Sequence, residues 1–199
     1  MPRAFNERER NIIKERIRKA AASLMIRNGV RHTTIDAIVK SAMIPKGTFY
    51  LFYDTKEELL FEVLESEHEK MEKAIFEQIS KVNPSSINPD SATELIYSFY
   101  KMVDEHPLLA TISQEDVTLI SQRLPEERII KHLEEDRNMS AKLMRFLPLK
   151  DGITVETVSS SLHAVYFTML YLKETAGDKS EELLKLIIRG IMIQILRIS

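Results

Sequence analysis

Apolar residues recur along most of this chain at intervals of three and four, the spacing that lines one face of an α-helix. Ile13, Ile17, Ala20, Ala21, Leu24 and Met25 share one face of a helix from Glu7 to Asn28. Asn28-Gly29 ends it, because glycine accepts the left-handed backbone that other residues resist. Thr33 and Thr34 then offer capping hydroxyls, and Asp36 falls in the first turn of a short helix from Ile35 to about Ala42. Met43-Ile44-Pro45 reads as a turn, with Pro45 suited to starting a very short third helix from about Lys46 to Phe52. After Asp54-Thr55 a long helix is expected from about Lys56 to Val82, its seam formed by Leu59, Leu60, Val63, Leu64, Met71, Ile75 and Ile79. The stretch 83–90 (NPSSINPD) is a loop. Further helices are expected over 91–106, 108–122, 125–147, 154–175 and 179–198, with Pro107, Pro125 and Pro148 at the breaks. No run alternates like a strand set, and only five glycines occur. The expected fold is all-α, with about nine helices. Residues 1–55 form a three-helix module containing a helix-turn-helix, helix 56–82 is a shared connector, and 56–199 form a helical body.

Charge sharpens this division. The net formal charge is only −2, but residues 1–56 carry +7 and residues 57–199 carry −9. A basic head on an acidic body is the asymmetry expected when one end meets phosphates. The absence of cysteine permits a reducing compartment and excludes disulfides, thiolate metal sites and cysteine nucleophiles. The N-terminus lacks the apolar run of a signal peptide, and no apolar stretch approaches the ~18 residues of a membrane span, so a cytoplasmic location is expected.

The chemistry concentrates between Thr33 and Leu60 (TTIDAIVKSAMIPKGTFYLFYDTKEELL). Two short helices separated by a tight turn form a helix-turn-helix, whose second helix can enter a major groove. Ile35, Ile38, Val39, Ala42, Phe49 and Tyr53 are expected to face inward, leaving Lys46, Gly47, Thr48, Tyr50 and Leu51 on or near the groove face. Gly47 allows close backbone approach. Thr48 can bond a base edge or touch a thymine methyl. Tyr50 can bond a phosphate oxygen, and Lys46 supplies charge. Thr34 and Lys56 lie at helix N-termini, where backbone N–H groups favour an anion, and the adjacent Thr33 is a further DNA-binding candidate.

This stretch resembles the DNA-binding signature of the tetracycline-repressor (TetR) family. The matching residues are Thr34, Ile35, Ile38, Lys46-Gly47-Thr48-Phe49-Tyr50, Phe52-Tyr53 and Lys56-Glu57-Glu58-Leu59, with Asn28-Gly29 upstream. The resemblance covers about the first 65 residues. It implies DNA contacts at Thr34, Lys46, Gly47, Thr48, Tyr50 and Lys56, and a homodimer reading a palindromic operator in double-stranded DNA, with half-sites about 34 Å or more apart. Departures occur at Met43, where the family usually has a turn glycine, and at Val39, where it has alanine. They occur also at Leu51 and Phe52, which cannot bond phosphate, and at Asp54, where lysine is common. They imply fewer phosphate contacts and a different base preference.

The last two predicted helices, containing SSSLHAVYFTMLYL and LLKLIIRGIMIQILRI, are apolar on more than one face. Such helices are buried, and at a chain end a partner subunit buries them readily. The resemblance implies a four-helix dimer interface, for which Leu162, Val165, Met169, Leu184, Ile187, Ile188, Ile191 and Ile195 are the candidates. It also implies an effector cavity among the middle helices. Phe61, Tyr97, Tyr100, Met102, His106, Met144 and Phe167 are candidate lining residues, and their character suits a small, largely apolar effector. The expected role is a repressor released by that effector, without catalytic residues, metal or cofactor.

Two other readings remain open. A di-iron bundle oxidase needs paired Glu-x-x-His motifs, and only Glu65-Ser66-Glu67-His68 fits. A helical adaptor that has lost DNA reading would explain Leu51, Phe52 and Asp54, and would show no salt-sensitive DNA affinity.

Overall fold

The computed structural model describes residues 5–197, apart from the side chains of Ser85, Ser140 and Met144. Among them are nine α-helices: α1 (Glu7–His32), α2 (Ile35–Ala42), α3 (Lys46–Phe49), α4 (Lys56–Ile79), α5 (Pro89–Glu105), α6 (Gln114–Ser121), α7 (Glu126–Met144), α8 (Val155–Thr175) and α9 (Ser180–Ile195). The only pairing of extended backbone among these residues is an isolated antiparallel bridge between Leu149 and Leu196. No helix among them is long and apolar enough to cross a membrane.

The chain divides into two compact units, residues 1–68 with 107–124, and residues 69–106 with 125–199. In the first, α1 begins with a capping box in which Asn6 and Glu9 bond each other's backbone N–H groups. Gly29, at φ +75°, interrupts it, so Val30–His32 continue in a new direction. Ile17, Ala21, Met25 and Ile38 are fully buried where α1 and α2 pack together. A 3-10 turn at Leu109–Thr111 also packs on α1, and buries Leu109. Arg31 and Glu115 form an ion pair on the outside of this unit.

The stretch expected as one helix over 108–122 is two elements. After the 3-10 turn, Ser113 and Asp116 form a capping box that starts α6 afresh. Apolar spacing runs on through the break, so periodicity alone could not place it. The third helix is also shorter than expected, ending at Phe49 with Tyr50–Phe52 in turns.

The second unit is held by α5 on α9, α8 on α9 and α7 on α8. Ion pairs flank α5 and α9: Arg189 to Asp90 at 2.6 Å and Lys185 to Glu94 at 3.0 Å, with the Lys185 ammonium 4.5 Å from the centre of the Tyr97 ring. The segment after α7 is tied to the chain's end by Lys150 Nζ, which donates to the Ile193 carbonyl at 2.8 Å.

Met43 ends α2 in the left-handed region, at φ +53° and ψ +50°. Its N–H bonds the Lys40 carbonyl, and the Ile44 N–H bonds Val39 at 3.0 Å, the paired closure of a Schellman cap. A methionine there is strained by about 1 kcal/mol relative to glycine. Met43→Gly is therefore expected to raise unfolding stability by up to ~1 kcal/mol, read from the urea midpoint; a lower midpoint would contradict the strain.

His163 on α8 and His132 on α7 meet one carboxylate oxygen of Asp136, at 2.5 Å and 3.7 Å. The hydrogen bond to Asp136 raises the His163 pKa above its ordinary 6.5, against an opposing effect of burial. A histidine so raised contributes stability that is present in full below its unfolded pKa and is lost as pH rises through the folded one. His163→Gln is expected to lower the urea midpoint more at about pH 6 than at about pH 8.5. An equal loss at both would mean packing, not charge, sets its contribution.

Candidate nucleic-acid interface

The helix-turn-helix is α2, the turn at Met43–Pro45, and α3. α3 spans four residues, too few to hold together alone. Phe49 anchors it: its ring is fully buried, edge-on to Tyr50 at 5.4 Å and tilted against Tyr53 at 5.8 Å. Burial of a phenylalanine contributes roughly 1.5–3 kcal/mol. With Phe49 inward, Lys46, Gly47, Tyr50 and Leu51 stand exposed and Thr48 is half-exposed. These are the residues that the sequence analysis leaves on the outer side of the helix-turn-helix.

Gly47 has ordinary helical geometry, and nothing lies within 4 Å of where a Cβ would stand. The fold itself therefore has no need of glycine here. Lys46 Nζ lies 2.8 Å from Asp36 on α2, and that carboxylate raises the lysine's pKa. Both side chains are largely exposed, so the pair is weakly held.

The two threonines separate. Thr34 is exposed and caps α2 through the Ala37 N–H at 3.2 Å. Thr33 is completely buried and cannot meet DNA, contrary to expectation. Its hydroxyl donates to the Gly29 carbonyl at 2.8 Å, closing the kink of α1, and its own carbonyl accepts from Lys56 Nζ at 3.0 Å. Lys56 stands at the start of α4 as expected, but its ammonium is turned inward as a brace between α4 and the segment before α2.

Much of the positive charge of the head is likewise engaged within it. Lys14 and Arg18 converge on Glu62 of α4 at 3.0 Å and 3.6 Å. Next to them Tyr53 is buried, and that burial pushes its phenol pKa up. The Arg10 guanidinium lies 4.9 Å from the centre of the Phe52 ring, and Nη2 of Arg16 donates to the Ala42 carbonyl at 2.6 Å. Sequence reasoning counted these cations toward a phosphate surface and missed their internal roles. Their partners are backbone carbonyls and side chains that only tertiary packing brings near.

In the second unit the expected effector residues are dispersed. The Tyr97 ring carries Lys185, and the buried Tyr100 hydroxyl donates to the Leu162 carbonyl at 2.8 Å. Met102 and His106 are half-buried, and Phe167 is exposed. Phe61, half-buried, belongs to the first unit, and the Met144 side chain lies outside the described residues. Among the described side chains, none of these lines an apolar cavity of this unit that is bounded by residues including Ile96, Leu143, Val158, Leu162 and Met192 and holds about 10 Å³. That is room for about one water.

The expected dimer residues are mostly committed to the chain's own core. Val165, Met169, Leu184, Ile188 and Ile195 are buried, Leu162 and Ile191 are half-buried, and Ile187 is exposed. The large apolar side chains most exposed on α8 and α9 are Phe167, Tyr171, Leu183, Leu186 and Ile187. Helix spacing identified an apolar face but not which of its rows the chain itself covers.

A family model matches the segment that holds the helix-turn-helix. Residues 17–63 match the model of bacterial regulatory proteins of the tetR family. The chain is similar to two uncharacterized HTH-type transcriptional regulators of Bacillus subtilis (strain 168). YxbF is 26% identical over 90 residues, 45% of this chain and 23% of that protein. YhgD is 30% identical over 113 residues, 57% of this chain and 58% of that protein. The chain thus spans about a quarter and just over half of the lengths of these relatives. Among solved structures, RolR in complex with resorcinol has the same fold, with a TM-score of 0.62 at 16% identity, over 95% of this chain and 91% of that one.

Proposed function

Because this chain carries, over residues 17–63, the N-terminal module of the tetR family of bacterial regulatory proteins, we propose that it is a sequence-specific DNA-binding repressor. It acts as a homodimer on a palindromic operator and is released by a small, largely apolar effector. The observation that carries the reading is Gly47. The fold leaves open the space in front of it, on a surface that also presents Lys46, Thr48 and Tyr50. Space that the protein does not fill beside a helix in a helix-turn-helix is space for a DNA backbone. Leu51, more than half exposed, can meet only sugar or thymine methyl there.

Phe167, Tyr171, Leu183, Leu186 and Ile187 supply the dimer surface, since large apolar groups grouped on two helices and left in solvent mark an interaction site. Release by an effector requires that the ligand bind one conformation better than the other. The apolar cavity of about 10 Å³ would have to enlarge to admit such an effector. The resorcinol held by RolR supports a small effector in this fold.

The direct test is selection from a random DNA pool at two salt concentrations. Enrichment of a palindrome, with affinity falling steeply as salt rises, supports the reading. Failure to enrich any sequence with protein refolded free of ligand favours the adaptor alternative.

Two substitutions probe the surface. Gly47→Ala is expected to leave the melting temperature unchanged or raise stability by up to about 1 kcal/mol, since alanine favours a helix, while weakening operator binding at least tenfold. Equal operator affinity would mean that DNA does not approach there. Asp36→Asn removes the carboxylate that holds Lys46. Operator affinity should rise several-fold, and the slope of log affinity against log salt should steepen by about one. An unchanged slope would mean that Lys46 meets a base edge or nothing.

A further inference from the structure

The turn between α2 and α3 is closed by a residue unsuited to it. Met43 holds φ +53° with its side chain exposed, and nothing in its own packing rewards that conformation. The Schellman bonds into Lys40 and Val39 leave the carbonyls of Ala42 and Met43 without a partner from the helix backbone. Both point at Arg16 of α1. Nη2 of Arg16 donates to Ala42 at 2.6 Å and lies 3.4 Å from the Met43 oxygen. The guanidinium also sits at the negative end of α2, where a cation is stabilised by the helix dipole. Arg10, six residues earlier on α1, repeats the arrangement, its Nη2 3.4 Å from the Leu51 carbonyl beyond α3.

We propose that Arg16 is a positioning residue for DNA recognition, a clamp that holds the α2–α3 turn in the left-handed geometry that Met43 resists and so fixes the direction in which α3 is presented. It acts through backbone carbonyls of the turn, not through a phosphate. This rests on the DNA-binding reading above.

Clamp and phosphate contact differ in what they change. A residue that neutralises a phosphate lowers the salt slope by about one when removed, whereas one that only sets geometry weakens binding at constant slope. Relief of the strain at Met43 should also compensate for a lost clamp but not for a lost phosphate contact. The experiment compares wild type, Arg16→Ala, Arg16→Lys, Met43→Gly and the Arg16→Ala/Met43→Gly double variant. Each is measured for operator affinity as a function of salt, for melting temperature, and for hydrogen exchange at the Met43 and Ile44 amides.

Arg16→Ala should lose at least tenfold in affinity with an unchanged salt slope, and its Ile44 amide should exchange faster. Adding Met43→Gly should recover most of the affinity and slow the exchange again. Arg16→Lys, which keeps a cation at the end of α2, should stay within about threefold of wild type. A slope reduced by about one with exchange unchanged would overturn the proposal in favour of a phosphate contact. So would full affinity in Arg16→Ala, or a double variant no better than the single. If Arg16→Ala does not fold, the lysine and double variants decide by the same readouts. A wild-type chain that binds no DNA in a salt-dependent way overturns the functional reading and with it the role in recognition. The exchange measurements then report separately whether the clamp itself exists.

Discussion

The exposed face of the helix-turn-helix depends on the burial of Phe49. A four-residue helix has no stability of its own, because nucleation fixes several backbone angles for a single hydrogen bond. Phe49 supplies what the helix lacks, a fully buried ring wedged against Tyr53 and edge-on to Tyr50. Once it points inward, helical geometry leaves Lys46, Gly47 and Tyr50 in solvent. The outer surface follows from the inner anchor.

Around that anchor the polar interactions form a frame. Thr33 ties the kink at Gly29 to Lys56, while Glu62 gathers Lys14 and Arg18 beside the buried Tyr53. The excess of positive charge in the first 56 residues therefore has two uses. Part satisfies carbonyls and carboxylates that packing has removed from water, where an unpaired group costs about 1–3 kcal/mol. The remainder, with Lys46 loosely held by Asp36, is what the proposed function assigns to phosphates. A charge count alone overstates the second use.

The second unit is built on different terms. Its helices are joined by apolar burial, with ion pairs at the margins of α5 and α9 and a histidine pair around Asp136. It also leaves large apolar groups of α8 and α9 in solvent, which a second copy of the chain would cover under the proposed function.

Local rules were enough to read much of this from the sequence. The bounds of α2, the start of α4, the break at Asn28-Gly29 and the outward set Lys46, Gly47, Thr48, Tyr50 and Leu51 follow from side-chain spacing, caps and backbone preferences. These properties act over a few residues and are written in order along the chain. Tertiary structure decided what depends on partners distant in sequence. It buried Thr33 and turned Lys56 and Arg16 toward carbonyls 23 and 26 residues away. It also chose which rows of α8 and α9 the chain keeps for its own core, because a helix apolar on several faces carries no mark of which face finds a neighbour first.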